Sequence, residues 1–340
     1  MNISFRTRQR LKRAGIVALI VALILALIGT LWFIWLERFV IYTRDRGAVF
    51  DMSLSDDDFL PGKPAKPAEK TPVSIYYNEG ENAINTGSEL TQITGYYADA
   101  AALQEGVSTV LEQVKALPAA TPIMVDVKNP KGGFFYSSSV STKRDSSIDA
   151  AQMDELIAYL NDNRYYAIAR LPALRDYEYG LNHVSDGLPT SGGYLWADDD
   201  YCYWLNPASQ GTITYLISIV TELKALGFDE VVFDNFHFPD TEKIVFNGDK
   251  QEALGTAAKT LLTACATESF AVSFVGQNAS FPLPAGRTRL YLLGTSAAEA
   301  ETLAAQTGLE NPSVNLVFLT ENHDTRFDVY SVLRPLAAAH

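Results

Sequence analysis

Cysteine is scarce: two in 340 residues exclude a disulfide scaffold. Cys202 lies among Tyr201, Tyr203 and Trp204, and Cys265 on a predicted helix; sequence leaves open whether they pair. Basic residues are in deficit, 27 Lys and Arg against 40 Asp and Glu, a net charge of −13. General nucleic-acid binding needs a basic surface, so that partner class is set aside. Neither a GxGxxG nor a GxxxxGK[ST] turn occurs, which argues against a bound nucleotide. The four histidines show no HExxH or other metal-ligand spacing. The run Asp198–Asp200 lacks the Gly and distal Glu of a calcium loop and reads as a solvated turn. No GxSxG elbow is present. No metal or cofactor is therefore expected.

What the chain does have is one long apolar run. Residues 15–36, GIVALIVALILALIGTLWFIWL, carry no charge. As a helix they would span about 33 Å, enough for a hydrocarbon core of about 30 Å. Trp32, Trp35 and Tyr42 mark its far end. Arg6, Arg8, Arg10, Lys12 and Arg13 precede it, and Arg38, Arg44 and Arg46 follow. That asymmetry predicts a cytoplasmic N-terminus and an exported C-terminal portion. A cleaved signal peptide would have a shorter apolar core ending in small residues. The expected organisation is a basic cytoplasmic tail (1–14), a single transmembrane helix (15–37) and an extracytoplasmic linker (38–72). A barrel domain (73–340) completes it. Without the five cations of the tail, 22 basic residues face 40 acidic ones, an acidic ectodomain.

From residue 92 onward apolar runs of strand length alternate with apolar residues at helical spacing. Strand candidates are 92–97, 122–127, 165–171, 231–234, 270–275, 289–293 and 314–319. Helices are expected near 103–117, 148–160, 206–226, 251–266 and 297–306. Asn206 and Pro207 read as an N-cap and first helical position, and Gly227 as a C-cap. Alternating β and α units imply a parallel sheet under helices, here an α/β fold of (β/α)8 TIM-barrel type. The eighth strand is open between the tail after Phe327 and a segment near Val73. The stretch 176–203 is far longer than an ordinary βα connection and reads as a functional loop.

Alternation within strands decides which side chains share a face. It groups Asp126 with Lys128, Ile168 with Arg170, and Val232 with Asp234. If the polar members face inward, Asp126, Lys128, Arg170 and Asp234 converge at the C-terminal mouth, where barrels place their chemistry. The same charges could equally form a structural ion-pair layer. Aromatic rings at strand ends and in loops (Tyr97, Phe134, Phe135, Tyr136, Tyr194, Trp196, Tyr201, Trp204) suit stacking on sugar faces. Each could instead pack the long loop onto the barrel.

Four segments in order, VDVKNPKGGFFY, YAIARLPALRD, GGYLWADDDYCYWLNP and LGFDEVVFDNFHFPD, together resemble the bacterial "Putative glycosyl hydrolase domain" family over roughly 90–240. The resemblance implies a TIM barrel distantly similar to retaining glycosidases, with Asp234 as leading catalytic residue and Asp126 and Arg170 in the pocket. The chain departs from the family pattern. Asn235 and His237 stand where Tyr and Arg are usual, no acid ends the fifth strand (Val275, Gly276), and LYLLGT replaces a Pro-Met-x-Tyr-Pro run. Asp126 or Glu321, at the end of strand seven, would then supply the second carboxylate.

The expectation is a membrane-anchored, extracytoplasmic glycoside-hydrolase-like barrel acting on a cell-envelope or environmental polysaccharide. Its catalytic residues would be Asp234, Asp126 and Glu321. Its substrate contacts would be Lys128, Arg170, His237, Tyr97, Trp196 and Trp204. The alternatives are a non-catalytic glycan-binding module and an envelope scaffold.

Overall fold

The computed structural model describes residues 25, 30, 40–43, 47–50, 90–321 and 323–336. The chain divides into two units, Met1–Gly80 and Glu81–His340. In the first, Val40–Thr43 and Gly47–Phe50 pair antiparallel, so part of the stretch expected to be linker forms a hairpin. Of the expected transmembrane helix only Leu25 and Thr30 are described, both helical. The basic tail, the rest of that apolar run, the remaining linker and the strand near Val73 lie outside the described residues. Among those described, no helix is long and apolar enough to cross a membrane.

The second unit is a closed parallel barrel of eight strands. They are β1 (Thr94–Ala98), β2 (Pro122–Asp126), β3 (Tyr166–Pro172), β4 (Glu230–Asp234), β5 (Ala271–Val275), β6 (Leu290–Leu293), β7 (Leu316–Leu319) and β8 (Ser331–Pro335). The tail after Phe327 supplies the eighth strand. Ser331 of β8 pairs with Val317 of β7, and its Val332 with Thr94 of β1. Gly95 makes the β1–β2 approach possible: a Cβ there would collide with the Pro122 carbonyl oxygen and lie 2.8 Å from the Pro122 Cβ.

The helices are α1 (Ala100–Lys115), α2 (Ala150–Asp162), α3 (Tyr177–Asn182), α4 (Gln210–Ala225), α5 (Lys250–Cys265), α6 (Ala300–Thr307) and α7 (Pro312–Asn315). Asp99 caps α1 by accepting from the Ala102 N–H. Leu103, Val107, Val110, Leu111 and Val114 then turn one face onto the sheet. The α4 start differs from expectation. Ser209, not Asn206, is its N-cap, and Asn206 instead accepts from the Ala208 N–H in a turn before the helix. Gly227 follows the helix at φ 90°, as a C-terminal glycine should.

Strand alternation sorts the core into two shells. Ile123, Val125, Ala167, Ala169, Val231 and Phe233 face out under the helices. Met124, Ile168, Val232, Val275, Tyr291, Val317, Leu319 and Leu333 fill the barrel. Cys202 and Cys265 are both buried and free.

Candidate active site

Met124, Ile168 and Val232 point into the barrel, so the period of two sends Asp126, Arg170 and Asp234 inward just above them. Asp126 lies directly opposite Arg170 in the sheet. Arg170 lies opposite Val232, and Pro172 opposite Asp234, so Asp234 stands one inward position nearer the opening. The convergence expected of these three side chains is therefore present at the C-terminal end.

Asp126 and Arg170 form a two-pronged ion pair, with Nε donating to Oδ1 at 2.6 Å and Nη2 to Oδ2 at 2.9 Å. Oδ2 also accepts from the Ala100 N–H at 2.8 Å, at the positive end of α1. Both side chains keep 13% of their surface open. Burial pushes the Asp126 carboxyl upward, the Arg170 charge and hydrogen bonds pull against it, and the neighbouring Asp234 charge adds to the rise. Burial works against the Arg170 charge, but Asp126 and Asp234 outweigh it and hold the guanidinium protonated.

Asp234 is held differently. Its Oδ1 accepts the Asn235 N–H at 2.6 Å, and among the described residues that is the side chain's one hydrogen bond. Asn235 adopts φ 49°, a left-handed conformation that asparagine tolerates better than most residues. This turn aims the half-buried carboxylate and leaves its second oxygen without a protein donor among the described residues.

A cleft of ≈ 540 Å³ opens beside this cluster, lined among others by Tyr97, Asp99, Arg170, Thr295 and Glu321. Asp126 and Asp234 are not in its lining; Arg170 links them to it. Burial raises the Tyr97 phenol, and the charges of Asp99 and Glu321 raise it further. Tyr97, Asp99 and Glu321 thus share one neighbourhood, with Glu321 exposed. Asp99 was not singled out from sequence. The available signal was an acid immediately after a strand, the same signal that marked Asp234.

Lys128 does not join the mouth. It lies past β2, is 3% exposed, and donates to Asp176 Oδ2 at 2.6 Å in a pair whose side chains are both fully buried. Asp176 also accepts from the Tyr215 hydroxyl and, as the cap of α3, from the Tyr179 N–H. The chain leaves the sheet after Asp126, and a bridge between Lys128 and Phe134 turns it aside.

The aromatic residues divide. Phe134, Phe135 and Tyr136, which the sequence left open between sugar stacking and packing, are completely buried. Trp204 is 6% exposed, and its indole N–H donates to Asp198 at 3.0 Å. Trp196 is half-buried, its ring 6.5 Å from that of Trp204. His237 packs 4.9 Å from Trp204, with Nδ1 on the Phe238 carbonyl at 2.9 Å. These three rings fasten the long loop to the tail of β4. Tyr194 and Tyr201 are 78% exposed. The acidic run is not simply solvated: Asp198 bonds Arg175 at 2.6 Å and accepts the Asp200 and Cys202 N–H groups. Burial raises the Asp198 carboxyl, but those bonds and Trp204 outweigh it, bringing it from 3.8 to about 2. Among the described residues no group of three His, Cys, Asp or Glu side chains could hold a metal ion.

No curated protein matches the chain. Among solved structures, it is similar to an exo-β-N-acetylglucosaminidase of family GH20 from Vibrio harveyi, with TM-score 0.51 and 9% identity. The alignment covers 72% of this chain and 50% of that one. A GH36 α-galactosidase from Geobacillus stearothermophilus gives TM-score 0.51 at 10% identity, covering 73% and 39%. The chain thus spans half or less of either enzyme, and at such identity the likeness is one of fold. The glycoside hydrolase domain of PelA from Pseudomonas aeruginosa aligns at TM-score 0.46 and 11% identity, over 74% and 97%. A family described as "Putative glycosyl hydrolase domain" matches residues 94–274, from the first residue of β1 to the penultimate residue of β5. That is more than half of the chain and reaches beyond the span 90–240 read from sequence, and the chain belongs to this glycosyl hydrolase domain family.

Proposed function

We propose that the barrel hydrolyses a glycosidic bond of a polysaccharide or oligosaccharide at its C-terminal mouth, with Asp234 as the central carboxylate. The observation that carries this reading is the Asp234 side chain: inward, half-buried, beside Arg170, and holding one oxygen free of protein donors among the described residues. Glycoside hydrolysis needs two carboxyl groups on opposite sides of the scissile bond. Asp126 has both oxygens engaged by Arg170 and Ala100, so it suits a positioning role. Glu321, exposed on the cleft, is the better second carboxylate, and Tyr97 offers a ring face and hydroxyl to the sugar. Family membership and the fold shared with two glycosidases support a carbohydrate ligand.

Turnover of a glycan panel by the full-length protein is the test. Asp234→Asn should lower the rate about 10²–10⁴-fold, the usual contribution of a positioned proton-transfer or nucleophilic carboxylate. Glu321→Gln should lower it comparably. Unchanged hydrolysis by Asp234→Asn removes that residue from the mechanism.

A second reading rests on β5, which ends on Val275, is followed by Gly276 and brings no acid to the mouth. On that reading the barrel retains glycans without cleaving them. Binding would survive Asp234→Asn and would weaken with Tyr97→Ala or Trp196→Ala.

The apolar run 15–36 behind five cations supports a membrane-anchored protein with the barrel on the exported side. Protease protection of the barrel in intact cells, rather than its digestion from outside, would refute that orientation.

A further inference from the structure

At the opposite, N-terminal end of the barrel lies a second cavity, of ≈ 840 Å³. Pro122 and Tyr166, the first residues of β2 and β3, line it together with Asp229 before β4 and Arg287 and Arg289 before β6. Arg164, in the turn after α2, stands at its edge.

The three guanidiniums are not equivalent. Arg289 is satisfied, donating to Glu230, to the Tyr166 hydroxyl at 3.2 Å, and to the carbonyls of Thr91 at 2.9 Å and Val314 at 3.2 Å. Arg287 is not. Its Nε and Nη1 are buried and have no hydrogen-bond acceptor among the described residues. Arg164 is exposed and likewise shows no ion pair among them. Two acids, Asp229 and Glu268, also line the cavity, but neither bonds Arg287. Asp229 instead accepts the Ala167 N–H at 2.8 Å.

Folded proteins rarely leave buried donors unpaired, because each one forfeits its bond to water. In a chain with thirteen more acidic than basic residues, a guanidinium that feels the Asp229 charge yet hydrogen-bonds no carboxylate among the described residues is all the more unusual. Guanidinium groups pair best with carboxylate and phosphate oxygens. We infer that this cavity binds an oxyanion, a carboxylate or phosphoryl group, which accepts hydrogen bonds from Arg287 while Arg164 attracts it at the rim. The site is separate from the mouth and does not depend on the reading given to Asp234.

The test titrates the full-length protein calorimetrically with inorganic phosphate and, separately, with acetate, against chloride at equal ionic strength. The two arms distinguish a phosphoryl from a carboxylate ligand. At least one should bind saturably with one-to-one stoichiometry and raise Tm. Arg287→Gln should weaken that binding about ten-fold or more, the usual effect of losing a charge-assisted hydrogen bond. Its ligand-free Tm should equal or exceed that of the parent, because an unpaired buried cation has been removed. Arg164→Gln should weaken binding a few-fold, and Arg326→Gln, an exposed pair elsewhere, not at all. Absence of saturable binding above chloride, or unchanged binding by Arg287→Gln, overturns the proposal. So does a fall in the ligand-free Tm of Arg287→Gln, which would show that the guanidinium has a structural partner.

Discussion

At the C-terminal end of the barrel Asp126 and Arg170 leave 13% of each side chain open, whereas at the N-terminal end Glu230 and Arg289 leave none and 1%. The two pairs use the same chemistry, and both sit on inward positions. Their surroundings differ. Glu230 is closed in by Arg289, Ser273 and the hydroxyls of Tyr166 and Tyr291, so each oxygen is engaged. Asp126 has Asp234 beside it with an oxygen to spare, and Arg170 still lines a cleft. Lys128 and Asp176 repeat the sealed pattern outside the barrel. A buried pair has no surface to offer a ligand, so its role is confined to holding the fold. A pair at the rim retains reach toward whatever enters.

The comparison predicts its own breaking points. Replacing one partner of a sealed pair strands the other charge. Lys128→Met or Glu230→Gln should therefore cost about 3–5 kcal/mol in chemical denaturation. Arg170→Gln should cost no more than about half of that, since water reaches the pair; equal losses would erase the distinction between sealed and open. Gly95→Ala should cost about 1–3 kcal/mol, because β1 and β2 must separate to admit a methyl group. Circular dichroism on heating measures it, and an unshifted Tm would show that the strands yield freely.

Smaller effects sharpen the mouth itself. Asp126→Asn should lower kcat/KM about ten-fold while preserving the fold, the effect of misplacing Arg170 rather than of losing a reacting group. A loss as large as that of Asp234→Asn would give Asp126 a direct part in the chemistry. The smallest effect concerns pH. Asp198 titrates near 2 in the fold against an ordinary value of 3.8. A carboxyl lowered by folding adds stability above its unfolded value, and that stability is lost as pH falls through the folded one. The long loop should therefore loosen between about pH 4 and pH 2, seen as a change in tryptophan emission from Trp196 and Trp204. The Asp198→Asn variant should lose that acid transition.

Much of the barrel could be read from the chain because strand alternation is local. Met124–Asp126, Ile168–Arg170 and Val232–Asp234 each declare an inward face within three residues. The eighth strand was harder to place. The closing strand 331–335 is recognisable only once seven others leave a gap of one between β7 and β1. The candidate site was legible to the same depth. Asp126, Arg170 and Asp234 sit within strands, and pleat geometry points them. Lys128 sits two residues beyond Asp126, where pleat geometry no longer applies, and a bridge to Phe134 carried it into the core. The aromatic residues were harder still: FFY at 134–136 and YLW at 194–196 look alike in composition, yet the first is sealed and Tyr194 is largely bare.

By itself the sequence determined the alternation of strands and helices, the polarity of each strand face and the acidic balance of the chain, because these depend on neighbours within a few residues. Tertiary structure alone decided which charges are sealed and which remain open, which rings pack and which face water, and that Nε and Nη1 of Arg287 find no acceptor among the described residues. Those outcomes depend on side chains tens or hundreds of residues apart being brought to one place, and no local pattern encodes the distance between them.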